Sequence, residues 1–498
     1  MVDSRLRFVS LGAVPGETSK SASTLQEPSH SRPPVAAVAR SSKGLASRLG
    51  LFDATMIVMG GIVGSGIFIN PYVVAELVHT PTLILAAWIA GGALALVGGF
   101  VYAELAARMP AVGGQYAYLR EAFHPAFGFL YGWALLFVIG AGGTAATAVT
   151  FAKYFHELAR IPIPENLVAA IVVAAFTIVN CLGVRAGSGV QSFFMVLRIL
   201  AIAMVVAAGV WMIFRPVAAP PLAWHPVLDR PLSFDLLTVF GATMVPVMFA
   251  YGGWQTSNFI AAEVRDARRN MPRALLLGVL GVILLYVSVN FIYVRALGPV
   301  GLALTKTPAS EVMRRALGGT GSAIIAIAVA LSTLGFLSNA MLTYPRVYFA
   351  MSEDKIFPRV FAQIGSRTRV PMWSIALQGA LTTTVALLGT YEQILSYVIV
   401  MDWLFFGLSA SCLFVFRSRD RIVQTRDTSA QPAPDAPGYR VPGHPWTTGL
   451  FVAAAWLIVL NTIFKFPRDS AVAVCILFLG IPVYFLLRAR GNAHVRSE

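Results

Sequence analysis

Met59-Gly60-Gly61-Ile62-Val63-Gly64-Ser65-Gly66-Ile67-Phe68 is the stretch on which the fold of this chain turns. It lies inside an apolar run from about Leu51 to Leu77, long enough to cross the roughly 30 Å hydrocarbon core of a bilayer. Yet Gly64 and Gly66 flank Ser65, and Pro71 follows, a poor composition for an unbroken helix. An unpaired backbone N–H or C=O in lipid costs several kcal/mol, so a spanning helix unwinds only where it lines a protein-walled cavity. Unwinding here would leave amide donors and carbonyl acceptors at mid-membrane, where a small zwitterion satisfies both. A second reading is open at this point. Gly60 and Gly64 form a GxxxG pair, which also serves as a helix-packing face.

The rest of the chain supports a membrane setting. Of its 498 residues 57% are hydrophobic and only 12% charged, and the mean hydropathy is +0.71. Soluble domains carry about 25% charged residues, so half that fraction over repeated apolar blocks indicates a polytopic membrane protein. The net charge of +15 then reflects basic loops on one side of the membrane, and no nucleic-acid partner is expected. Cys181, Cys412 and Cys475 all sit within or at the ends of apolar segments, which leaves no disulfide framework and no CxxC metal site. The seven histidines show no HExxH or paired spacing, and there is no phosphate-binding Walker loop. An enzyme, a metal centre, a cofactor and an ATP-driven pump are therefore not expected. A channel would need rings of filter residues.

Residues 1–45 are rich in Ser, Pro, Ala and Arg without periodicity, and read as a disordered cytoplasmic tail with no secretory signal peptide. From Leu51 on, apolar length predicts about twelve spans, near 51–77, 82–108, 126–155, 166–183, 190–214, 237–262, 273–297, 320–349, 373–389, 393–416, 447–465 and 470–488. Ten of the 38 Lys and Arg residues fall on the odd-numbered loops, Arg198 is inside a span, and 27 fall on the tail, the even loops and the C-terminus. This bias places both termini in the cytoplasm of a cell that carries the protein in its inner or plasma membrane.

The sixth span repeats the signature of the first. Met248-Phe249-Ala250-Tyr251-Gly252-Gly253-Trp254-Gln255 puts glycines at mid-depth, with Pro246 upstream. Five spans separate the two interruptions, so the halves that contain them run in opposite directions. Paired interruptions in an inverted repeat point to the binding site of a transporter. The expected architecture is an all-α membrane protein with broken first and sixth helices. A permease domain over 46–490 would hold a first repeat at 51–214, a second at 237–416 and two extra helices at 447–488, followed by a cytoplasmic C-terminus at 491–498.

At these residues the sequence resembles the amino acid–polyamine–organocation superfamily, and within it the L-type amino acid transporters and their bacterial relatives. Gly64-Ser65-Gly66-Ile67-Phe68 is similar to the family's first break, and Phe249-Ala-Tyr-Gly-Gly-Trp254 to the L-type sixth span. The stretch from Pro110 to Phe123, Pro345 to Asp354, and Trp403-Leu-Phe-Phe-Gly-Leu408 resemble further family signatures. The resemblance runs from about residue 45 to 490. It implies a leucine-transporter-like fold with a 5+5 inverted repeat, and a secondary transporter that moves neutral L-amino acids by alternating access. Sodium-independent exchange is the expected mode, because Arg198 keeps its charge and can imitate a bound sodium ion. A proton-coupled permease, a permease for cationic amino acids or polyamines, and a membrane amino acid sensor are the alternatives.

The resemblance also implies a site. The substrate carboxylate would meet backbone amides near Ser65, Gly66 and Ile67, and its amino group the carbonyls of Ile62, Phe249 and Gly252. Phe249 would be a gating aromatic, with Trp254 and Gln255 setting side-chain selectivity; packing in the core or against lipid is the plain reading of both aromatics. The eukaryotic L-type chains bind a heavy chain through a cysteine between the third and fourth spans. The loop from Ala152 to Asn166 contains none, so a protein working without that partner, as a monomer or weak homo-oligomer, is expected.

Two charges lie inside spans and complete the candidate set. Arg198 falls where relatives carry a lysine near the sodium position of related symporters. It either braces the first span against the fifth or snorkels to the interface. Asp402 has no acidic counterpart in the L-type pattern; coupling to protons, gating, attraction of cationic substrates and neutral packing are all open.

Overall fold

Apart from one bridge between Leu49 and Val264, every regular element among the described residues is a helix. This is what hydrocarbon demands, since a helix satisfies its backbone within one segment. The structure, a computed structural model, describes residues 49–109, 113–159, 161–182, 188–214, 226–365, 368, 370–426 and 438–495. The expected tail over 1–45 and the last three residues of the expected C-terminus lie outside the described residues.

Among the described residues, ten helices or helix pairs are long and apolar enough to span, and two shorter ones, Glu165–Cys181 and Met372–Leu388, bring the total to the expected twelve. Each short helix has 17 residues, about 26 Å at 1.5 Å per residue, the lower limit for a crossing. In chain order the first span is α1 (Leu51–Ile62) and α2 (Gly66–Leu77), and the second is α3 (Pro81–Arg108). A short helix α4 (Gln115–Ala122) precedes the third span, α5 (Pro125–Ala134) and α6 (Gly140–Ala159), joined by a π-helical turn over Leu135–Ile139. The fourth and fifth are α7 (Glu165–Cys181) and α8 (Ser188–Ile213).

The second repeat begins with α9 (Phe234–Tyr251), continued by a 3-10 segment over Trp254–Glu263, and then α10 (Ala267–Ala303). The eighth span is α11 (Pro308–Thr343) followed by α12 (Pro345–Glu353); α13 (Met372–Leu388) and α14 (Tyr391–Arg426) are the ninth and tenth. The last two spans are α15 (Trp446–Lys465) and α16 (Pro467–Val495), and α16 runs past the predicted domain end at residue 490.

Helix starts follow local chemistry. Thr80 accepts a hydrogen bond from the Leu83 amide, and Pro81 opens α3. Ser233 caps α9 through the Leu236 amide. Both devices satisfy or remove amides that a first turn leaves unpaired.

The two repeats pack on each other through equivalent spans. α2 lies along α9 and α1 against the 3-10 segment; α3 packs on α10, α6 on α11 and α7 on α13. Each pair is offset by five spans, the relation an inverted 5+5 repeat imposes. The first and sixth spans therefore meet break against break.

At the end of the bundle that carries Arg108 and Arg417, the carboxylate of Glu104 is fully buried. It accepts from Arg108 Nε at 2.9 Å, from Arg417 Nη2 at 2.6 Å and from the Val441 amide at 2.6 Å. A buried charge persists only with such a full set of partners. The arrangement ties α3, α14 and the approach to α15 together. Nearby, Asp354 accepts from Arg120 and Tyr116, joining α4 to the end of α12.

Candidate functional site

The first break spans Val63, Gly64 and Ser65. The Val63 amide still reaches Met59 O at 2.7 Å, and the Gly64 amide folds back to Ile62 O at 2.8 Å. α2 then restarts at Gly66, with Ser65 at its N-cap but without a capping hydrogen bond from the Ser65 side chain. The amides of Gly66 and Ile67, in the first turn of α2, have no carbonyl one turn earlier in their own helix. The positive end of the helix dipole lies there too, which makes the spot favourable for an anion.

The second break is of the opposite kind. α9 ends at Tyr251, Gly252 is extended (φ −63°, ψ 165°) and Gly253 is left-handed (φ 107°). The Gly253 amide, which would prolong α9 by bonding the Phe249 carbonyl, donates instead to Gln255 Oε1 at 3.0 Å. The Phe249 carbonyl thus closes α9 without that bond, at the negative end of a helix dipole.

Close packing explains the glycines at both breaks. A Cβ on Gly253 would stand 2.1 Å from Gly61 O, and one on Gly61 would stand 2.9 Å from Gly253 O. A Cβ on Gly66 would stand 2.7 Å from Ala250 Cα. Gly66 is helical; it is Gly253 that needs the left-handed region, which side chains with a Cβ rarely enter.

Three polar side chains hold the breaks in register. The Tyr286 hydroxyl, on α10, lies 3.3 Å from Ile62 O and 3.2 Å from Ala250 O, and so bridges the two breaks. Asn70 donates to Pro246 O at 2.6 Å and accepts from the Tyr391 hydroxyl at 2.9 Å, linking the first, sixth and tenth spans. Tyr154 donates to Phe68 O at 3.0 Å. None of these three is predicted by spacing; a buried Asn ahead of Pro71 is the one signal the sequence offers.

Between the breaks lies a cavity of about 50 Å³ of space open to the centre of a water molecule. From the two breaks it is lined by Gly61, Ile62, Gly64, Ser65, Gly66, Gly252 and Gly253, with Phe249 and Gln255. The rest of its lining comes from the third, eighth and tenth spans: Ile139, Gly143, Thr147, Phe336, Tyr344, Val398 and Asp402. Ile139 closes the π-helical turn, a local irregularity often found at functional sites. Phe336 lies over the first break, 3.3 Å from where a Cβ on Gly64 would be.

The expected residues fall on different sides of this cavity. Ile62, Ser65, Gly66, Phe249, Gly252, Gln255 and Asp402 line it. Ile67 is buried behind Gly66. Trp254, expected to face the substrate, is fully buried outside the lining, stacked on Phe406 with ring centroids 5.0 Å apart and edge-on to Tyr102. The left-handed turn at Gly253 and the tighter 3-10 winding after it turn this side chain to the back. The Ile62 carbonyl, expected to be open, accepts from both Tyr286 and the Gly64 amide.

Arg198 is 2% exposed and so does not snorkel. Its Nη1 donates to Gly60 O at 2.8 Å, just before the first break. Nη2 and Nε donate to Ser332 O on α11 at 3.0 and 3.3 Å. Backbone carbonyls of the first and eighth spans thus converge on one guanidinium from the fifth. Asp402 contrasts with it: among the described residues no side chain or amide donates a hydrogen bond to its carboxylate, which opens into the cavity.

Comparison with known proteins places this arrangement. The amino acid permease family matches residues 49–486. The chain is 26% identical over 451 residues to the serine/threonine exchanger of Bacillus subtilis (strain 168), covering 90% of this chain and 98% of that protein. It is 29% identical over 459 residues to the human large neutral amino acids transporter small subunit 2, covering 89% and 80%. The human Asc-type amino acid transporter 1 is 28% identical over 458 residues, covering 89% and 82%.

Proposed function

This chain belongs to the amino acid permease family, and on that premise we propose that it exchanges small neutral L-amino acids across the membrane by alternating access, without sodium. One observation carries the reading. A helix start and a helix end, both broken at mid-span, face each other across one small cavity. Such a pair offers amide donors to a carboxylate and carbonyl acceptors to an ammonium, the two groups every free amino acid presents at fixed spacing.

In this reading the carboxylate sits on the amides of Ser65, Gly66 and Ile67, and the ammonium on the carbonyls of Phe249 and Gly252. Ile62 shapes the cavity through its backbone, because Tyr286 and Gly64 already occupy its carbonyl. Phe249 closes over the ligand, and Gln255 holds the turn at Gly253. Trp254 supports the sixth span from behind. Arg198 serves as a fixed cation in a cage of carbonyls, doing the bracing a bound sodium ion would otherwise do. The cavity size favours a short side chain, since one water needs roughly 10–15 Å³ by the same measure. The name of the Bacillus subtilis relative, a serine/threonine exchanger, agrees with a short side chain, and that of the human relative, a large neutral amino acids transporter, agrees with a neutral one only.

The protein acts as a transporter and not as an enzyme, with both termini in the cytoplasm and the bundle in the cell membrane. It works without a disulfide-linked heavy chain, as a monomer or weak homo-oligomer. A thermal-shift series tests the binding mode. A ligand at 100 times its Kd adds about 2.7 kcal/mol of apparent stability. Serine or alanine should therefore raise the melting temperature of the purified protein. The methyl ester, which lacks the carboxylate, and the N-acetyl derivative, which lacks the ammonium, should leave it unchanged. Equal stabilisation by either blocked form would remove the proposed zwitterion site.

A further inference from the structure

Among the described residues that line the cavity, Asp402 is the one that carries a charge, and we take the lining from the third, eighth and tenth spans as the surround of a substrate side chain. Val398 and Asp402 are four residues apart on α14, so the helix presents both to the cavity on one face. Two of the other polar lining groups already have partners of their own. The Thr147 hydroxyl donates to Gly143 O at 2.9 Å and lies 3.4 Å from Ser65 Oγ. Gln255 Oε1 accepts from the Gly253 amide. Asp402 alone brings carboxylate oxygens with no donor from any described residue. In a closed, loaded cavity an aliphatic side chain would strand those oxygens away from water, and a buried acceptor left unpaired is costly.

We propose that Asp402 is the specificity-determining residue for the substrate side chain, and that it selects neutral amino acids whose short side chain carries a hydroxyl. This rests on the exchanger reading and names the substrate class of that same site. A hydroxyl donates to the carboxylate and fits the small space. Charge balance favours it over an ammonium. Arg198, bonded to Gly60 beside the first break, and Asp402 give the region one cation and one carboxylate. A zwitterion with a neutral side chain leaves that balance untouched, whereas a cationic side chain adds a positive charge with no matching anion.

The test uses pairs that differ only in the hydroxyl, as competitors of labelled-serine exchange in proteoliposomes holding the purified full-length chain. Serine is compared with alanine, and threonine with valine, which replaces the hydroxyl by a methyl group. The parent should prefer the hydroxylated member of each pair by at least about tenfold, because a site that hydrogen-bonds a hydroxyl discriminates strongly against its absence. Asp402→Asn should retain part of this ratio and Asp402→Leu should bring it within about twofold of one. If either variant proves inactive in exchange, the same pairs are compared through the rise each gives in that variant's melting temperature.

Equal competition by threonine and valine in the parent would overturn the proposal and leave the exchanger reading standing. So would a preference for 2,3-diaminopropionate over serine, or an undiminished hydroxyl preference in Asp402→Leu. Absence of exchange with any of these amino acids would overturn both.

Discussion

Replacing Gly66 with valine is expected to abolish exchange, lowering the initial rate at least about a hundredfold, or roughly 2.7 kcal/mol. Even a single added carbon at this position would stand 2.7 Å from Ala250 Cα and 2.9 Å from Ala250 Cβ. Neither atom can swing away as the end of a flexible side chain could. The first and sixth spans would have to separate, and overpacking of this kind costs typically 1–3 kcal/mol or more. The same displacement would move Gly66, which lines the cavity, and with it the start of α2. Gly66→Ala should fall between parent and valine, since its Cβ meets the same atoms without the two further carbons. Rates are to be normalised to protein recovered in the membrane. Near-normal exchange by Gly66→Val would show that the contact between α2 and α9 is not needed for the site.

Arg198→Leu is expected to be nearly as severe. It removes the donors from Gly60 O and Ser332 O, two carbonyls otherwise joined by one buried guanidinium. Gly60 O, whose intrahelical donor Gly64 bonds Ile62 O instead, is then left without a donor at a cost of about 1–3 kcal/mol. Ser332 O, inside α11, loses its link to the fifth span. A loss of exchange of up to about a hundredfold is predicted. Arg198→Lys should recover part of the activity and gain a pH dependence the parent lacks from this position. A buried lysine readily gives up its proton, whereas arginine keeps its charge. The lysine variant is charged at low pH, so its exchange should fall as the pH rises. Initial rates of parent and both variants between pH 5.5 and 8.5 check this; full activity in Arg198→Leu would end the bracing role.

Much of this arrangement is legible before any coordinates are seen, for a physical reason. Glycine clusters in the middle of apolar runs have few solutions in lipid, so two of them five spans apart point to a shared cavity. Arg198 is legible in the same way, because a charge at that depth must find acceptors. Its second acceptor is not, since Ser332 contributes a main-chain carbonyl, and no side chain marks it in the sequence. Tyr286 stands among leucines and valines, and nothing in its spacing announces a hydroxyl shared between two broken helices. Trp254 stands at the selectivity position only by resemblance to the family, and nothing in its own spacing says which way the chain winds after Gly253. A left-handed turn followed by 3-10 geometry puts it behind the span. The need for glycine at position 66 is likewise a matter of contact with Ala250 and not of its own backbone angle.

Counterflow tests the exchange of an amino acid between the two breaks most directly. Purified protein, reconstituted alone, is loaded with unlabelled serine or left empty, and uptake of labelled serine is followed in sodium and in choline medium. Serine-loaded vesicles should take up label many times faster than empty ones, at the same rate in both media. Uptake indifferent to internal serine, accumulation driven by a sodium gradient, or silence relieved only by a co-reconstituted single-span protein would contradict it.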